Sequence, residues 1–150
     1  MLKSFKTLFK VDQVPRQPTE QELKLASATL MYEVIRSDGQ VDQVELEHMN
    51  QILRQEFKLN DEELDKLFTQ AEETAHEAIS LQGFTREICD NWGNEKRVKL
   101  LEYLWILALA DEHIDPHERH LVRKISGLLY LNEAEVRNAR EAAKKHFEMS

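Results

Sequence analysis

Residues 100–118 read LLEYLWILALADEHIDPHE, and this stretch decides the predicted fold. Ten of its first eleven residues are apolar, the exception being Glu102. A helix with so complete an apolar surface belongs inside a bundle, because a surface helix needs only one apolar stripe. It is too short to cross a bilayer, which requires about 20 apolar residues. The pattern predicts a buried helix that ends in a polar cluster made of Asp111, His113, Asp115, His117 and Glu118.

The rest of the chain agrees with an all-α, single-domain helical bundle of about seven helices. Its 150 residues suffice for one core, and its four glycines and three prolines leave few signals for strand turns. Apolar residues recur at helical spacing almost throughout. The 20 basic and 28 acidic residues give a net charge of −8, which disfavours nucleic-acid binding because a phosphate backbone would be repelled.

The chain divides into an N-terminal amphipathic helix with its connector (residues 1–18) and an all-α domain (residues 19–150). Residues 2–10 place Leu2, Phe5, Leu8 and Phe9 on one helical face, with lysines opposite. Such a helix either packs on the bundle or makes at most peripheral contact with a membrane or partner. No signal peptide is visible, and the single Cys89 excludes an intramolecular disulfide, so we expect a cytoplasmic protein.

Five helix starts carry the capping-box pattern, in which a cap residue and a glutamate three positions later satisfy each other's free backbone N–H. The predicted pairs are Thr19/Glu22, Asp42/Glu45, Asn60/Glu63, Asp115/Glu118 and Asn132/Glu135. The helix that follows Asn60 is predicted to run to about Leu81, with Ile79 on its apolar face. A short helix is expected around residues 84–92, and the central helix from Asn94.

The polar cluster after the central helix has a counterpart earlier in the chain. Aligning Asp38 with Asp111 sets DGQVDQVE against DEHIDPHE, with Asp, Val or Ile, Asp and Glu at matching positions. The apolar residues upstream and a Leu-Asn pair downstream also match, after a gap of one residue. We therefore interpret residues 26–64 and 99–136 as two copies of one helical unit.

The repeated carboxylates have two interpretations. Asp42 and Asp115 fit helix caps, with Val41 and Ile114 as hydrophobic staples. Asp38 instead stands at the end of a helix, as Asp111 does, where the macrodipole disfavours a carboxylate. An Asx-turn would explain such a residue, and so would a bound cation. Ca²⁺ takes about 6–8 oxygen ligands, so three carboxylates per copy would need the other copy, backbone carbonyls or water.

Histidines offer an alternative metal site in the second copy alone. His113, His117 and His120 stand beside Asp111 and Asp115, and His117 and His120 are one helical turn apart. A metal-dependent hydrolase that uses this cluster is the enzymatic alternative. No nucleophile motif, phosphate loop or dinucleotide fingerprint is present, so we expect no enzyme. Cys89 has only Arg86 as a cationic neighbour within one turn, which favours a packed thiol over a reactive one.

At the repeated motif the sequence resembles the TerB-like family, which is named for bacterial tellurite-resistance proteins and also supplies the N-terminal domain of a DnaJ-like co-chaperone. The resemblance covers about residues 20–147 and rests on SDG-VD--E at 37–45 and AD--ID--E at 110–118. It implies a bundle of pseudo-repeated helices and a non-enzymatic protein-interaction module in stress or envelope responses, whose partner is unknown. It also implies a cation site, for Ca²⁺ or Mg²⁺ rather than Zn²⁺, at Asp38, Asp42, Glu45, Asp111, Asp115 and Glu118.

Overall fold

The computed structural model describes residues 17–110 and 115–148. Within these ranges the chain forms seven helices and no strand, which confirms the all-α class. The helices are α1 (Glu20–Ile35), α2 (Gln43–Phe57), α3 (Asp61–Glu77), α4 (Gln82–Asn91), α5 (Asn94–Leu109), α6 (Pro116–Leu128) and α7 (Glu133–Glu148). The predicted N-terminal helix at residues 2–10 lies outside the described residues.

Two helices, α1 and α5, form the centre of the bundle. The prediction for α5 is confirmed, because Trp105 is 2% exposed and its neighbours on every side of the helix are buried. Helix α1 is also buried on nearly all sides, from Leu23 to Ile35. The extra burial includes Ser27 and Thr29, whose hydroxyls donate to the carbonyls of Leu23 and Leu25 at 3.0 and 2.7 Å.

The packing of the other helices follows an approximate internal two-fold. Helix α1 packs against α3 as α5 packs against α7, and each central helix also contacts the helix that follows it. Helix α2 contacts α5, and its counterpart α6 contacts α1. This reciprocal pattern, with the two central helices in mutual contact, agrees with the repeat found in the sequence.

The ends of α2 and α6 repeat the same backbone geometry. Each is followed by a residue in the left-handed region, Lys58 with φ 53° and Tyr130 with φ 57°. The next residue closes a Schellman-type bond, from Leu59 N–H to the Arg54 carbonyl and from Leu131 N–H to the Ser126 carbonyl. The matching conformations show that the repeat extends through the turn into the third helix of each copy.

Helix α3 ends earlier than the sequence suggests. It stops at Glu77, and Ile79, which we placed on its apolar face, is fully exposed. The Arg36 guanidinium donates to the Ala75 carbonyl at 2.6 Å, and that carbonyl would otherwise accept from the Ile79 N–H. The Ala75 carbonyl is therefore bonded by Arg36, the residue that follows α1, and by the Ala78 N–H at 3.3 Å, instead of by the Ile79 N–H that would continue the helix.

Tyrosine–glutamate hydrogen bonds link the central helices to their neighbours. Tyr32 of α1 donates to Glu72 of α3 at 3.1 Å, and Tyr103 of α5 donates to Glu56 of α2 at 2.6 Å. Burial of the ring, followed by the hydrogen bond to Glu56, raises the pKa of Tyr103 above its ordinary value of 10.0. Each bond joins two helices, through the buried Tyr32 in one case and the half-buried Tyr103 in the other.

Within the described ranges, every helix falls short of the length and apolar content needed to cross a membrane.

We expect Trp105→Ala to lower the free energy of unfolding by about 3–5 kcal/mol, because a fully buried indole leaves a large cavity. Trp105→Phe is the matched control. The indole Nε1 has no hydrogen-bond partner among the described residues, so the change to phenylalanine removes side-chain volume but breaks no hydrogen bond. We expect it to lower the free energy of unfolding by on the order of 1–2 kcal/mol. Urea unfolding followed by circular dichroism measures both losses, and equal losses would contradict this packing.

We expect Tyr103→Phe to cost about 1 kcal/mol near neutral pH, where the phenol donates to Glu56. Because the folded-state pKa is raised, this contribution is complete below the unfolded pKa of about 10 and is lost as the pH rises above it. The stability difference between wild type and variant should therefore shrink in urea unfolding at about pH 11. A difference that stays constant between the two pH values would refute the role given to this phenol.

Candidate functional site

The first copy of the acidic motif forms the turn between α1 and α2. The Asp38 carboxylate accepts the backbone N–H of Gln40 at 2.9 Å, which is the Asx-turn that we considered. Gly39 follows with φ 87°, a conformation that favours glycine. Val41 is 46% exposed, so the predicted staple adds little burial. Asp38 therefore holds the turn that leads into α2.

The caps of α2 and α6 use the second aspartate of each copy. Asp42 accepts from the Val44 N–H at 2.8 Å, and Asp115 accepts from the His117 N–H at 2.7 Å and the Glu118 N–H at 3.4 Å. Pro116 occupies the first turn of α6, where its missing N–H costs nothing. These predicted caps are confirmed.

The glutamates of the two motifs do not follow the capping-box prediction. The reciprocal bond is present at Thr19/Glu22, Asn60/Glu63 and Asn132/Glu135, whereas at Asp42 and Asp115 the cap consists of the aspartate alone. Glu45 and Glu118 are instead buried, each 1% exposed. The third residue of each of these helices faces the bundle, so the side chain turns inward. A buried carboxylate is costly unless it is compensated, and the helix N-terminus supplies part of that compensation.

Among the described residues, the carboxylates implied as metal ligands do not form one cluster. No three His, Cys, Asp or Glu side chains in residues 17–110 and 115–148 form a group that could hold a metal ion. The first copy is described in full, and its own Asp38, Asp42 and Glu45 do not form such a group by themselves. Asp111 lies outside the described residues, as does Ile114. The complete six-residue site stays a prediction.

The alternative histidine cluster is described only in part, because His113 also lies outside the described residues. His117 and His120 are exposed on α6. His120 lines a shallow cavity of about 250 Å³ with Pro116, Arg119 and Arg123. Two guanidinium groups around a histidine disfavour a metal cation electrostatically. The described residues of this alternative therefore suit an anion better.

Folding brings together two histidines that looked isolated in the sequence. The rings of His48 on α2 and His146 on α7 have centroids 6.2 Å apart, and Phe147 contacts both at 5.5 and 5.2 Å. No sequence signal could pair residues so distant along the chain. Cys89 is half-buried against the core and its thiol lies 3.5 Å from the Leu128 carbonyl, as expected for a packed cysteine.

The sequence also missed a groove between the N-terminal halves of α1 and α5 and the C-terminal end of α2. Its cavity has a volume of about 280 Å³. This groove gathers four lysines that are scattered along the chain. Its lining is Glu20, Lys24, Ser27, Met31, Glu56, Phe57, Lys58, Trp92, Lys96, Lys99, Leu100 and Tyr103.

Comparisons with known proteins agree with the fold. A family model described as tellurite resistance protein TerB matches residues 24–141. A crystal structure of a protein of unknown function, PG1108 from Porphyromonas gingivalis W83, matches with a TM-score of 0.62 at 21% identity, over 87% of this chain and 99% of that one. This likeness shows a shared fold. The search of curated proteins finds no match. Because the family model covers well over half of the chain, the protein belongs to the TerB family.

Proposed function

We propose that this chain is a non-enzymatic interaction domain that contacts a partner protein in the cytoplasm, in a stress- or envelope-associated response. The proposal is supported by the structural role of the repeated aspartates, which bind backbone N–H groups at the turns. Asp38, Asp42 and Asp115 each accept a backbone N–H, at 2.9, 2.8 and 2.7 Å. Carboxylates engaged in this way serve the scaffold, so we assign the function to the surfaces that the scaffold presents. The link to stress responses draws on the family name.

Site-specific photo-crosslinking tests the proposal. A photoreactive phenylalanine analogue replaces one exposed residue on each of three surfaces: Lys66 on α3, Lys96 in the groove and Lys124 on α6. The variants are expressed at the natural level, with and without tellurite or envelope stress. We expect a discrete adduct with one partner protein from at least one position. Folded variants that give no adduct at any position would count against an interaction domain.

A divalent-cation site at the repeated motif is the second candidate, and the burial of Glu45 and Glu118 favours it. Both are 1% exposed at equivalent places in the repeat, and capping does not require either of them. Hydrogen bonds, an opposite charge or a cation can compensate a buried carboxylate. A coordination sphere would also have to include water, backbone carbonyls or Asp111. Ca²⁺ or Mg²⁺ would suit such oxygen donors.

Thermal unfolding of wild type and an Asp38→Asn, Asp111→Asn double variant separates the two candidates. If the motif is only structural, asparagine preserves the turn, and millimolar-scale Ca²⁺, Mg²⁺ or chelator leaves both midpoints unchanged. We expect this outcome. A bound ion would instead stabilise wild type by about 2.7 kcal/mol at one hundred times Kd.

The matched control is Asp65→Asn, Asp90→Asn, which removes two exposed carboxylates outside the motif. A metal-dependent midpoint that is present in wild type and this control, but lost from the motif variant, would establish the cation site.

A further inference from the structure

We propose that the groove between α1, α2 and α5 binds an acidic segment of a partner protein, which inserts an apolar side chain between the aromatic rings. This inference rests on the proposed interaction function and names the surface and the chemistry of the partner.

The charge of the groove is opposite to that of the whole protein. Four lysines line it, against the two carboxylates Glu20 and Glu56. The whole chain has a net charge of −8. Glu56 is exposed and accepts the Tyr103 O–H at 2.6 Å, so one oxygen of its carboxylate is already hydrogen-bonded. A locally positive groove on an acidic protein selects an acidic partner through charge complementarity.

Two of the lysines are available for an incoming carboxylate. The Lys24 ammonium lies 5.8 Å from the centroid of the Phe57 ring, and the Lys96 ammonium lies 5.4 Å from that of Trp92. Within residues 17–110 and 115–148 neither ammonium forms an ion pair. Lys99 is 5.4 Å from the Tyr103 centroid and 3.4 Å from a Glu102 carboxylate oxygen. A cation held over a ring keeps its capacity to pair with an anion.

The floor of the groove is apolar. Met31 and Leu100 are buried beneath the half-buried rings of Phe57, Trp92 and Tyr103. The cavity of about 280 Å³ is close to the lower end of the range for ligand pockets, about 300–1,000 Å³. That volume suits one leucine- or phenylalanine-sized side chain, and buried apolar anchors of this kind dominate the affinity of many interfaces. An acidic peptide with a hydrophobic anchor fits both features.

Fluorescence anisotropy with a labelled Glu-Glu-Leu-Leu-Glu-Glu peptide tests the proposal. We expect Lys24→Ala, Lys96→Ala to weaken binding about fivefold, since exposed ion pairs contribute modestly. The control Lys66→Ala, Lys124→Ala makes the same change in net charge on α3 and α6 and should bind as wild type does. Equal weakening in both variants, or no binding of this peptide to wild type, would overturn the proposal.

The two tryptophans locate the bound peptide in the same protein. Trp92 lines the groove, whereas Trp105 is 2% exposed and contacts Arg140 of α7. On titration of the peptide, the indole N–H resonance of Trp92 should shift while that of Trp105 stays in place. A Trp92 resonance that does not shift would overturn the proposal. Displacement of the peptide by a single-stranded oligonucleotide of equal charge would also overturn it.

Failure here differs from failure of the proposed function. If photo-crosslinks form at Lys66 or Lys124 while the groove does not bind the peptide, the proposed interaction function is retained. Only the assignment of the groove as the binding surface is then ruled out.

Discussion

The fold depends on the contact between α1 and α5, two helices that are buried on nearly all sides. Where such a helix is buried all around, as at residues 26–32 and 104–108, any polar side chain on it must be satisfied locally. Ser27 and Thr29 meet this requirement by donating to carbonyls one turn back along α1. The remaining helices cover this central pair.

This constraint places the polar chemistry of the protein at helix ends. The fully buried stretches of α1 and α5, residues 26–32 and 104–108, carry no charged side chain, and an acidic motif follows each helix in the sequence. Asp38 holds the first turn, and Asp42 and Asp115 cap the helices that follow. Glu45 and Glu118 are the exceptions, because these two motif residues place their carboxyl groups inside the bundle. The motif therefore couples the surface turn to the core, which a simple cap does not do.

Sequence patterns predicted the features that depend on neighbours along the chain. The apolar run in α5, the repeat and the Asp42 and Asp115 caps are local patterns, and the structure confirms them. Features that depend on tertiary packing escaped prediction. The inward turn of Glu45 and Glu118 depends on which helix face meets the core, and the end of α3 depends on Arg36 from α1. The groove needs three helices to assemble before its lysines become neighbours.

The reciprocal packing of the two copies has a consequence for fragments of the chain. In the other copy, helix α1 packs against α5 and α6, and helix α5 packs against α1 and α2. A fragment that holds one copy would expose the apolar side of its central helix. Because the helix contacts of one copy mirror those of the other, we expect two such fragments to pair as a homodimer around the same approximate axis. The single chain therefore has the architecture of a dimer whose subunits are covalently joined.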